Sequence, residues 1–373
     1  MAAADDTPPA RSRIPALDGL RGIAVLLVLL AHSSNVQMFL LRRGEYGLDF
    51  RGCGRAGVFL FFVLSAFLLT SQALEREGSE LTRPATWGRY LLRRVLRVYP
   101  AYLMCLLLYM GLEGWSLQRV GAHLSTFRAE LHFWTVPVEL HFYLVLPLIL
   151  LVIVPALRRL GERLLFLLLL VAAVGLRLLQ PPDYGSRAPD FEVRLLPFMP
   201  VFLTGCAAAV LHHGWSRLPE ERRARRAPLL DMAAVAAMVA LSLHAPAVLS
   251  LFTEESVDLH RFHLEFDRFG VLWGILILGL LHGTGRLRAP LESRALRWVG
   301  VTSFSTYLLH RLVLERVELP TRDWPQPLGV LTFLGLSLGL GALSWWLLER
   351  PFASLGSGVR RSVAKMAADS DGG

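Results

Sequence analysis

The sequence predicts an all-α, polytopic membrane protein, and three observations lead to that prediction. Hydrophobic residues make up 54% of the 373 residues, whereas charged residues make up only 18%. A soluble domain cannot bury so much apolar surface. The apolar residues also fall into about ten stretches, each long enough to cross or nearly cross a bilayer as a helix.

The predicted transmembrane helices follow one another with short connections. They cover about residues 14–34, 56–74, 95–112, 133–155, 164–180, 195–212, 229–251, 268–283, 298–314 and 328–348. Ten crossings would leave both termini on one side of the membrane. The densest basic runs, Arg83 to Arg97 and Arg217 to Arg226, fall on that side, so both termini are predicted to be cytoplasmic. The net charge of +9 thus follows membrane topology, and no nucleic-acid partner is predicted.

One membrane domain is predicted over residues 14–353, because no linker within it is long enough to separate two domains. Residues 1–13 and 354–373 are polar and rich in Ala, Ser, Gly and Asp, which predicts disordered cytoplasmic tails. In the last span, Gly335 and Gly339 form a GxxxG pair that is followed by Gly341, a pattern typical of close helix packing. A chain of this kind is expected in the plasma membrane, in contact with lipid.

The first span carries two ionisable residues, Arg21 and His32, in an otherwise apolar run. Eleven residues turn an α-helix through about three revolutions, so both side chains lie on one face roughly 16 Å apart. The arginine is then near the cytoplasmic surface, and the histidine is near the middle of the membrane or beyond. Charged groups cost about 2.5–3.5 kcal/mol at that depth, which makes both residues functional candidates. The simpler alternative is that they only bond to neighbouring helices.

A basic run after the second span contains Arg93, Arg94 and Arg97. Spacings of three and four residues bring these side chains to one helix face at the cytoplasmic edge. Clustered guanidinium groups at such a place suit bidentate phosphate binding. On charge alone, a topology signal that touches lipid phosphates is the preferred explanation.

The fourth span brings Glu139 a few residues into the apolar region, two residues after Pro137. A proline there frees backbone carbonyls and often marks a stretch that lines a cavity. A carboxylate at that depth needs a partner. His32 has a comparable depth, and a His–Glu pair would prepare a base for acyl transfer. The alternative partner of Glu139 is Tyr143, one helical turn later.

The ninth span places Ser303, Tyr307 and His310 on one face, where they are predicted to line a substrate cavity together with Tyr143. A hydrogen-bonded packing cluster is the alternative. At the end of the last span, Glu349 is predicted to pair with Arg21 or with the arginines of residues 93–97. Asp18 and Arg350 complete this set of structural, charge-pairing residues.

Other kinds of site find no support. The three cysteines have no paired spacing, and the two histidines between Asp258 and Asp267 lack the three or four converging ligands of a metal site. No metal is therefore predicted. The sequence contains no GxSxG, Walker or GxGxxG motif, which argues against serine hydrolases and nucleotide-driven pumps.

Together these segments resemble the acyltransferase-3 family of multipass membrane O-acyltransferases, over about residues 14–353. The interval from Arg21 to His32 matches the family's Arg-x10-His pattern, and Arg93 to Tyr102 matches its RRxxRxxPxY run. The later resemblances lie at Trp134 to Tyr143, Ser305 to His310 and Glu349 to Phe352.

The chain departs from the family pattern at Phe59, where an acidic residue is usual, at Ala66, where glycine is usual, and at His141, where glutamine or glutamate is usual. The change at Phe59 removes a carboxylate from the membrane. Either Glu139 suffices, or this subgroup differs in its acceptor or its activity.

The resemblance implies transfer of an acyl group, usually acetyl from acetyl-CoA, to a hydroxyl of a carbohydrate, a cell-surface glycan or a glycosylated secondary metabolite. Acyl-CoA would be a co-substrate, and no permanently bound cofactor is expected. The four arginines Arg21, Arg93, Arg94 and Arg97 are expected to hold the CoA phosphates.

The same resemblance assigns catalysis to His32, as general base or transient acyl carrier, with Glu139 orienting its ring. Two other classes of protein remain possible. One is a multipass transporter or flippase of a glycan or metabolite, and the other is a catalytically silent scaffold, which the residue Phe59 makes conceivable.

Overall fold

The computed structural model of the chain describes residues 14–35, 50, 52–76, 81, 83–125, 128–180, 194–245, 248, 266–321 and 323–355. These residues form a bundle of helices with no β-strand in the described part, which confirms the all-α prediction. The predicted disordered tails, residues 1–13 and 354–373, lie outside the described residues except for Ser354 and Leu355.

Twelve α-helices are described. They are α1 (Pro15–Asn35), α2 (Cys53–Leu74), α3 (Pro84–Glu113), α4 (Leu117–Leu124), α5 (Thr135–Leu178), α6 (Met199–Ser216), α7 (Glu220–Leu243), α8 (Phe266–His282), α9 (Arg288–Leu291), α10 (Arg294–Val301), α11 (Ser303–Val317) and α12 (Gln326–Ser344). The last helix continues as one π-helical turn, Trp345–Glu349. Short 3-10 turns, Leu131–Trp134 and Leu196–Phe198, lead into α5 and α6.

Seven helical segments of the described part are long and apolar enough to cross a membrane, so the predicted number of about ten is not reproduced. Two predicted spans, 133–155 and 164–180, lie in one helical segment of 48 residues, Leu131–Leu178. That segment is broken at Gly161, whose φ of 75° suits a glycine. The predicted spans 268–283 and 298–314 correspond to α8 and α11, which have 17 and 15 residues and fall short of the roughly 20 that a crossing needs. The side on which the termini lie stays a prediction.

The core lies where α1, α2 and α6 pack together, and these helices are buried along most of their length. α3, α5, α7 and α12 surround them and keep apolar side chains on their outer faces. Leu148 and Val152 of α5, for example, are 64% and 67% exposed. In a membrane such faces contact lipid, which explains why these helices keep apolar residues on their outer faces.

Glycines allow the central helices to touch through their backbones. A Cβ atom on Gly57 of α2 would lie 2.4 Å from the backbone oxygen of Ala24 in α1. One on Gly300 of α10 would lie 1.7 Å from the backbone oxygen of Asp18 at the start of α1. Both distances are too short for any larger residue, so these two glycines set the position of α1.

The GxxxG pair behaves differently from the prediction. No atom of the described chain lies within 4 Å of a Cβ built on Gly335 or Gly339, so the predicted close packing is not found within this chain. Gly341 makes the close contact instead, because a Cβ there would lie 2.1 Å from Oγ1 of Thr306 in α11. α12 therefore packs on α11 through Gly341, whereas the GxxxG pair faces away from the other described helices.

An aromatic cluster fixes α4 against the end of the bundle. The rings of Trp115 and His123 stack at 4.9 Å, and the guanidinium of Arg119 lies 4.0 Å from the Trp115 ring and pairs with Glu130. Burial lowers the pKa of His123 to about 4, so this imidazole is neutral at physiological pH. Tyr102, the tyrosine of the predicted Pro-x-Tyr element, lies 3.4 Å from His123 Nδ1 and belongs to this packing.

We expect Gly57→Ala to lower the thermal stability of the purified protein, because the added methyl group would overlap the backbone of α1. Overpacking of this kind costs about 1–3 kcal/mol. Gly339→Ala is the matched control, since its Cβ meets open space, and it should leave the melting temperature in detergent unchanged or slightly raised. Equal effects of the two substitutions would contradict the described packing of α1 on α2.

Candidate active site

Three cavities lie in series through the bundle. The first, here called the arginine cavity, has a volume of about 480 Å³ and lies among the start of α1, the end of α2 and the end of α12. The second, the histidine cavity, has a volume of about 340 Å³ and lies among the end of α1, the start of α2 and the turn before α5. A narrow throat of about 40 Å³ lies between them.

Shared lining residues show that the cavities are neighbours. Arg21 lines both the arginine cavity and the throat. Val58 and Tyr307 line both the throat and the histidine cavity. Because α1 and α2 run in opposite directions, the start of one and the end of the other form the same end of the bundle. Arg21 and His32, on one face of α1, therefore line cavities at opposite ends of the bundle.

The arginine cavity brings together five residues that the sequence singled out. They are Asp18, Arg21, Arg97, Glu349 and Arg350. Glu75 of α2 also lines the cavity, so three arginines face three carboxylates. The Nε atom of Arg21 is buried and has no hydrogen-bond partner in the described part of the chain.

The other two arginines of the basic run lie elsewhere. The guanidinium of Arg94 lies over the ring of Tyr143 at 5.5 Å and over that of Tyr90 at 5.9 Å, in cation–π contacts. Arg93, one turn before Arg97, is not among the residues that line the arginine cavity. α3 therefore places these arginines in different surroundings, although their spacing would allow the three side chains to meet on one face.

Glu349 binds a helix end rather than an arginine. Its carboxylate accepts hydrogen bonds from the backbone N–H of Ser305 at 3.0 Å and from the Ser305 hydroxyl at 2.5 Å. The N–H of Ser305 is in the first turn of α11, where negative charge is favoured. Arg97 and Arg21 act on Glu349 only electrostatically. The predicted ion pair is thus replaced by a cap that joins α12 to α11.

Glu139 lines the throat and bonds to hydroxyl groups. Tyr143, one turn later on α5, and Ser65 of α2 both donate to its Oε1 atom. His32 is not a hydrogen-bond partner of Glu139, so of the two partners considered from the sequence the structure has Tyr143. Ser65 had not been singled out, although it belongs to the apolar run of α2 that resembles the family. The three residues tie α2 to α5 across the throat.

His32 is held in one tautomer by its own helix. Its Nδ1 atom lies 2.9 Å from the backbone oxygen of Val28 and must donate to it, since a carbonyl only accepts. The Nε2 atom is then an unprotonated acceptor, as a general base requires. The His32 ring also contacts the ring of His310, with centroids 4.7 Å apart and planes at 70°.

His310 contacts a third imidazole, that of His132, at a centroid distance of 4.8 Å. We call His32, His310 and His132 the histidine stack. His310 donates from Nδ1 to the oxygen of Tyr307 at 2.6 Å, and His132 donates from Nε2 to the oxygen of Leu308 at 2.9 Å. The remaining nitrogens, Nε2 of His310 and Nδ1 of His132, are buried without a partner in the described residues. His132 was missed in the sequence, although it lies two residues before Trp134 of the fourth-span motif.

The predicted substrate-cavity residues occupy different places. Tyr307 lines the throat and the histidine cavity and donates to the oxygen of His132 at 2.6 Å. Ser303 lines the throat, and its hydroxyl is buried without a partner in the described part. His310 lies behind His32 in the stack, and Tyr143 supports Glu139. The four residues surround the throat, and only Ser303 and Tyr307 line it.

Phe59, which departs from the family pattern, lies away from the three cavities. Its ring is fully buried and packs against Phe198 at 6.4 Å and Phe269 at 6.2 Å. The aromatic side chain thus fills an apolar cluster at a position where a carboxylate would need a partner. The histidines considered for a metal, between residues 258 and 267, lie outside the described residues.

Comparison with known proteins identifies the family. A family model described as an acyltransferase domain matches residues 14–349. The chain belongs to the acyltransferase-3 family. It is similar to YrhL of Bacillus subtilis strain 168, provisionally named a peptidoglycan O-acetyltransferase, with 26% identity over 92% of this chain and 55% of that protein.

A second relative is the peptidoglycan O-acetyltransferase OatA of Listeria monocytogenes serovar 1/2a, strain EGD-e. It is 24% identical over 85% of this chain and 52% of its own length. The chain therefore spans about half the length of the curated relatives that it matches. No solved structure matches it significantly.

We expect Glu349→Ala to destabilise the protein, because the buried N–H and hydroxyl of Ser305 would lose their charged acceptor. Such a loss costs about 1.5–3 kcal/mol, which thermal unfolding in detergent would detect. Glu318→Ala, which removes an exposed acid at the other end of α11, should change stability by no more than about 0.5 kcal/mol. A melting temperature of Glu349→Ala equal to that of this control would contradict the capping role.

Proposed function

We propose that the protein is a membrane-embedded O-acyltransferase that moves an acyl group from acyl-CoA to a hydroxyl of a glycan or a related carbohydrate. The observation that carries this proposal is the series of cavities that joins Arg21 at one end to His32 at the other. Family membership and the names of the two relatives, both peptidoglycan O-acetyltransferases, support the same conclusion.

The arginine cavity is the proposed site for the phosphates of acyl-CoA. Arg21, Arg97 and Arg350 line it, and an incoming phosphate would supply the acceptor that Arg21 Nε lacks. Because three carboxylates share the lining, phosphates are bound by individual guanidinium groups rather than by a uniformly positive surface. Arg94 contributes through its contact with Tyr143, and Arg93, which does not line this cavity, is given no direct role in binding the phosphates.

The thioester arm then extends through the throat towards His32. Arg21 and His32 are separated by eleven helical residues, or roughly 16 Å. That separation suits a long, flexible arm whose phosphate end stays in the arginine cavity. The buried hydroxyl of Ser303 offers a hydrogen bond to an amide or carbonyl of the arm.

The reaction itself is assigned to the histidine cavity. His32 Nε2 accepts the proton of the acceptor hydroxyl while the hydroxyl oxygen attacks the thioester carbon. The carbon–sulfur bond breaks, and the proton passes from His32 to the departing thiolate of CoA. Val28 and His310, rather than Glu139, orient the His32 ring, and Glu139 acts by fixing the walls of the throat.

The orientation in the membrane follows from the basic runs. With both termini in the cytoplasm, the arginine cavity opens towards the cytoplasmic acyl-CoA and the histidine cavity opens towards the outer face of the plasma membrane. The acceptor hydroxyl is then extracytoplasmic, which fits a cell-surface glycan better than a soluble cytoplasmic metabolite.

We expect membranes that contain the wild-type protein to transfer label from [14C]acetyl-CoA to a glycan or lipid-linked fraction. His32→Ala should reduce this transfer by about 10²–10⁴-fold, because the general base is lost. His141→Ala is the matched control, since it removes a histidine of α5 that lines none of the three cavities, and it should retain activity.

Full activity of His32→Ala would refute the assigned base. A wild-type protein that moves a labelled glycan across vesicle membranes without acylating it would identify a transporter instead. Counting polymeric, lipid-linked and small-molecule fractions separately would show which class of acceptor carries the label.

A further inference from the structure

We infer that the throat selects the acyl donor by cross-section, so that the protein accepts slender, unbranched acyl thioesters and rejects branched or aromatic ones. The inference rests on the proposed function, because it concerns the acyl group that the donor carries. It follows from the size of the throat, from the residues that form its walls and from the contacts that prevent those walls from separating.

The throat is the narrowest part of the route between the two candidate binding ends. Its volume of about 40 Å³ compares with about 480 Å³ and 340 Å³ for the cavities on either side. That volume has room for roughly three water-sized groups. On the proposed route, an acyl group carried from the arginine cavity to His32 passes through this smallest of the three cavities.

Apolar side chains form most of the wall on the α2 side. Val58, Phe61 and Phe62 line the throat, and Phe304 and Tyr307 of α11 face it. The rings of Phe61 and Tyr307 meet edge to face with centroids 6.5 Å apart. A methyl branch next to the thioester carbonyl would have to displace one of these rings.

The wall has little freedom to open. The Phe62 ring stacks on Phe202 at 4.7 Å and also contacts Trp134 and Phe198 at 6.1 Å and 5.8 Å. Glu139 adds a polar tie, because it accepts hydrogen bonds from Ser65 of α2 and Tyr143 of α5. Separating α2 from α5 would break these buried bonds, which is costly inside a membrane.

Phe61 is the residue whose loss should widen the throat with least damage. It is only partly buried, whereas Phe62 is 1% exposed and packs against three aromatic rings. Phe59 provides a matched control on the same helix. It lies two residues earlier, about 200° around the helix, and its ring packs against Phe198 and Phe269 rather than lining the throat.

The test compares two isomeric donors, butyryl-CoA and isobutyryl-CoA, with acetyl-CoA as reference. The isomers contain the same atoms and differ only in branching next to the carbonyl. Membranes with wild-type protein, Phe61→Ala or Phe59→Ala are supplied with each labelled donor, and the rate of transfer to the acceptor fraction is measured relative to acetyl transfer.

We expect wild-type protein to transfer isobutyryl at least about tenfold more slowly than acetyl. Phe61→Ala should raise the isobutyryl-to-acetyl ratio by about tenfold or more, and it should raise the butyryl-to-acetyl ratio by less. Phe59→Ala should leave both ratios at their wild-type values. Val58→Ala removes a smaller side chain from the same wall and should shift the ratios in the same direction. This variant replaces Phe61→Ala in the test if Phe61→Ala does not fold.

Equal rates with isobutyryl and acetyl in the wild type would overturn the inference, and so would a folded Phe61→Ala or Val58→Ala protein with unchanged ratios. A rise in the isobutyryl ratio with Phe59→Ala as large as that with Phe61→Ala would do the same. Absence of acetyl transfer by the wild type would instead refute the proposed function, so the two failures are distinguishable.

Discussion

The close approach of the α1 backbone to its neighbours is the constraint on which the rest of the structure depends. Gly57 and Gly300 leave no space for a Cβ atom against α1, so both the position and the rotation of that helix are fixed. Arg21 and His32 share this helix, and the distance between the two ends of the route is therefore set by regular helix geometry rather than by loops. A site built in this way keeps its spacing even when loops vary.

Several polar groups inside the bundle bond to nearby backbone or hydroxyl groups, and these bonds set their chemical state. Each imidazole of the histidine stack donates one ring N–H to a backbone carbonyl, which fixes its tautomer. The second nitrogen of each ring is left as an acceptor. Glu139 and Glu349 likewise accept from hydroxyl or backbone donors instead of arginines. Within the described residues, these two carboxylates therefore make no direct ion pair with the arginines that line the cavity.

The all-α class could be predicted from the sequence, because it follows from the content and grouping of apolar residues. The shared helix face of Arg21 and His32 could be predicted as well, because it follows from the period of the α-helix. The sequence offered Tyr143 only as the alternative partner of Glu139, and it did not give Ser65 or His132, since the contacts of these two residues depend on the register between helices that are far apart in the chain. The predicted number of about ten crossings is not confirmed, because seven helical segments of the described part are long and apolar enough to span. Composition alone does not distinguish a short buried helix, such as α11, from a helix that spans the membrane. It also does not show whether an apolar stretch interrupted at Gly161 forms one broken helix or two spans.

The proposed donor route crosses the bundle from one end to the other, and a route of that kind is also a path along which ions could leak. Arg21 lies where the arginine cavity meets the throat, and the walls beyond it are largely aromatic. On the proposed route, a guanidinium charge fixed at this position would repel protons and metal cations. The residue proposed to receive an anionic donor would thus also limit the leak of cations between turnovers.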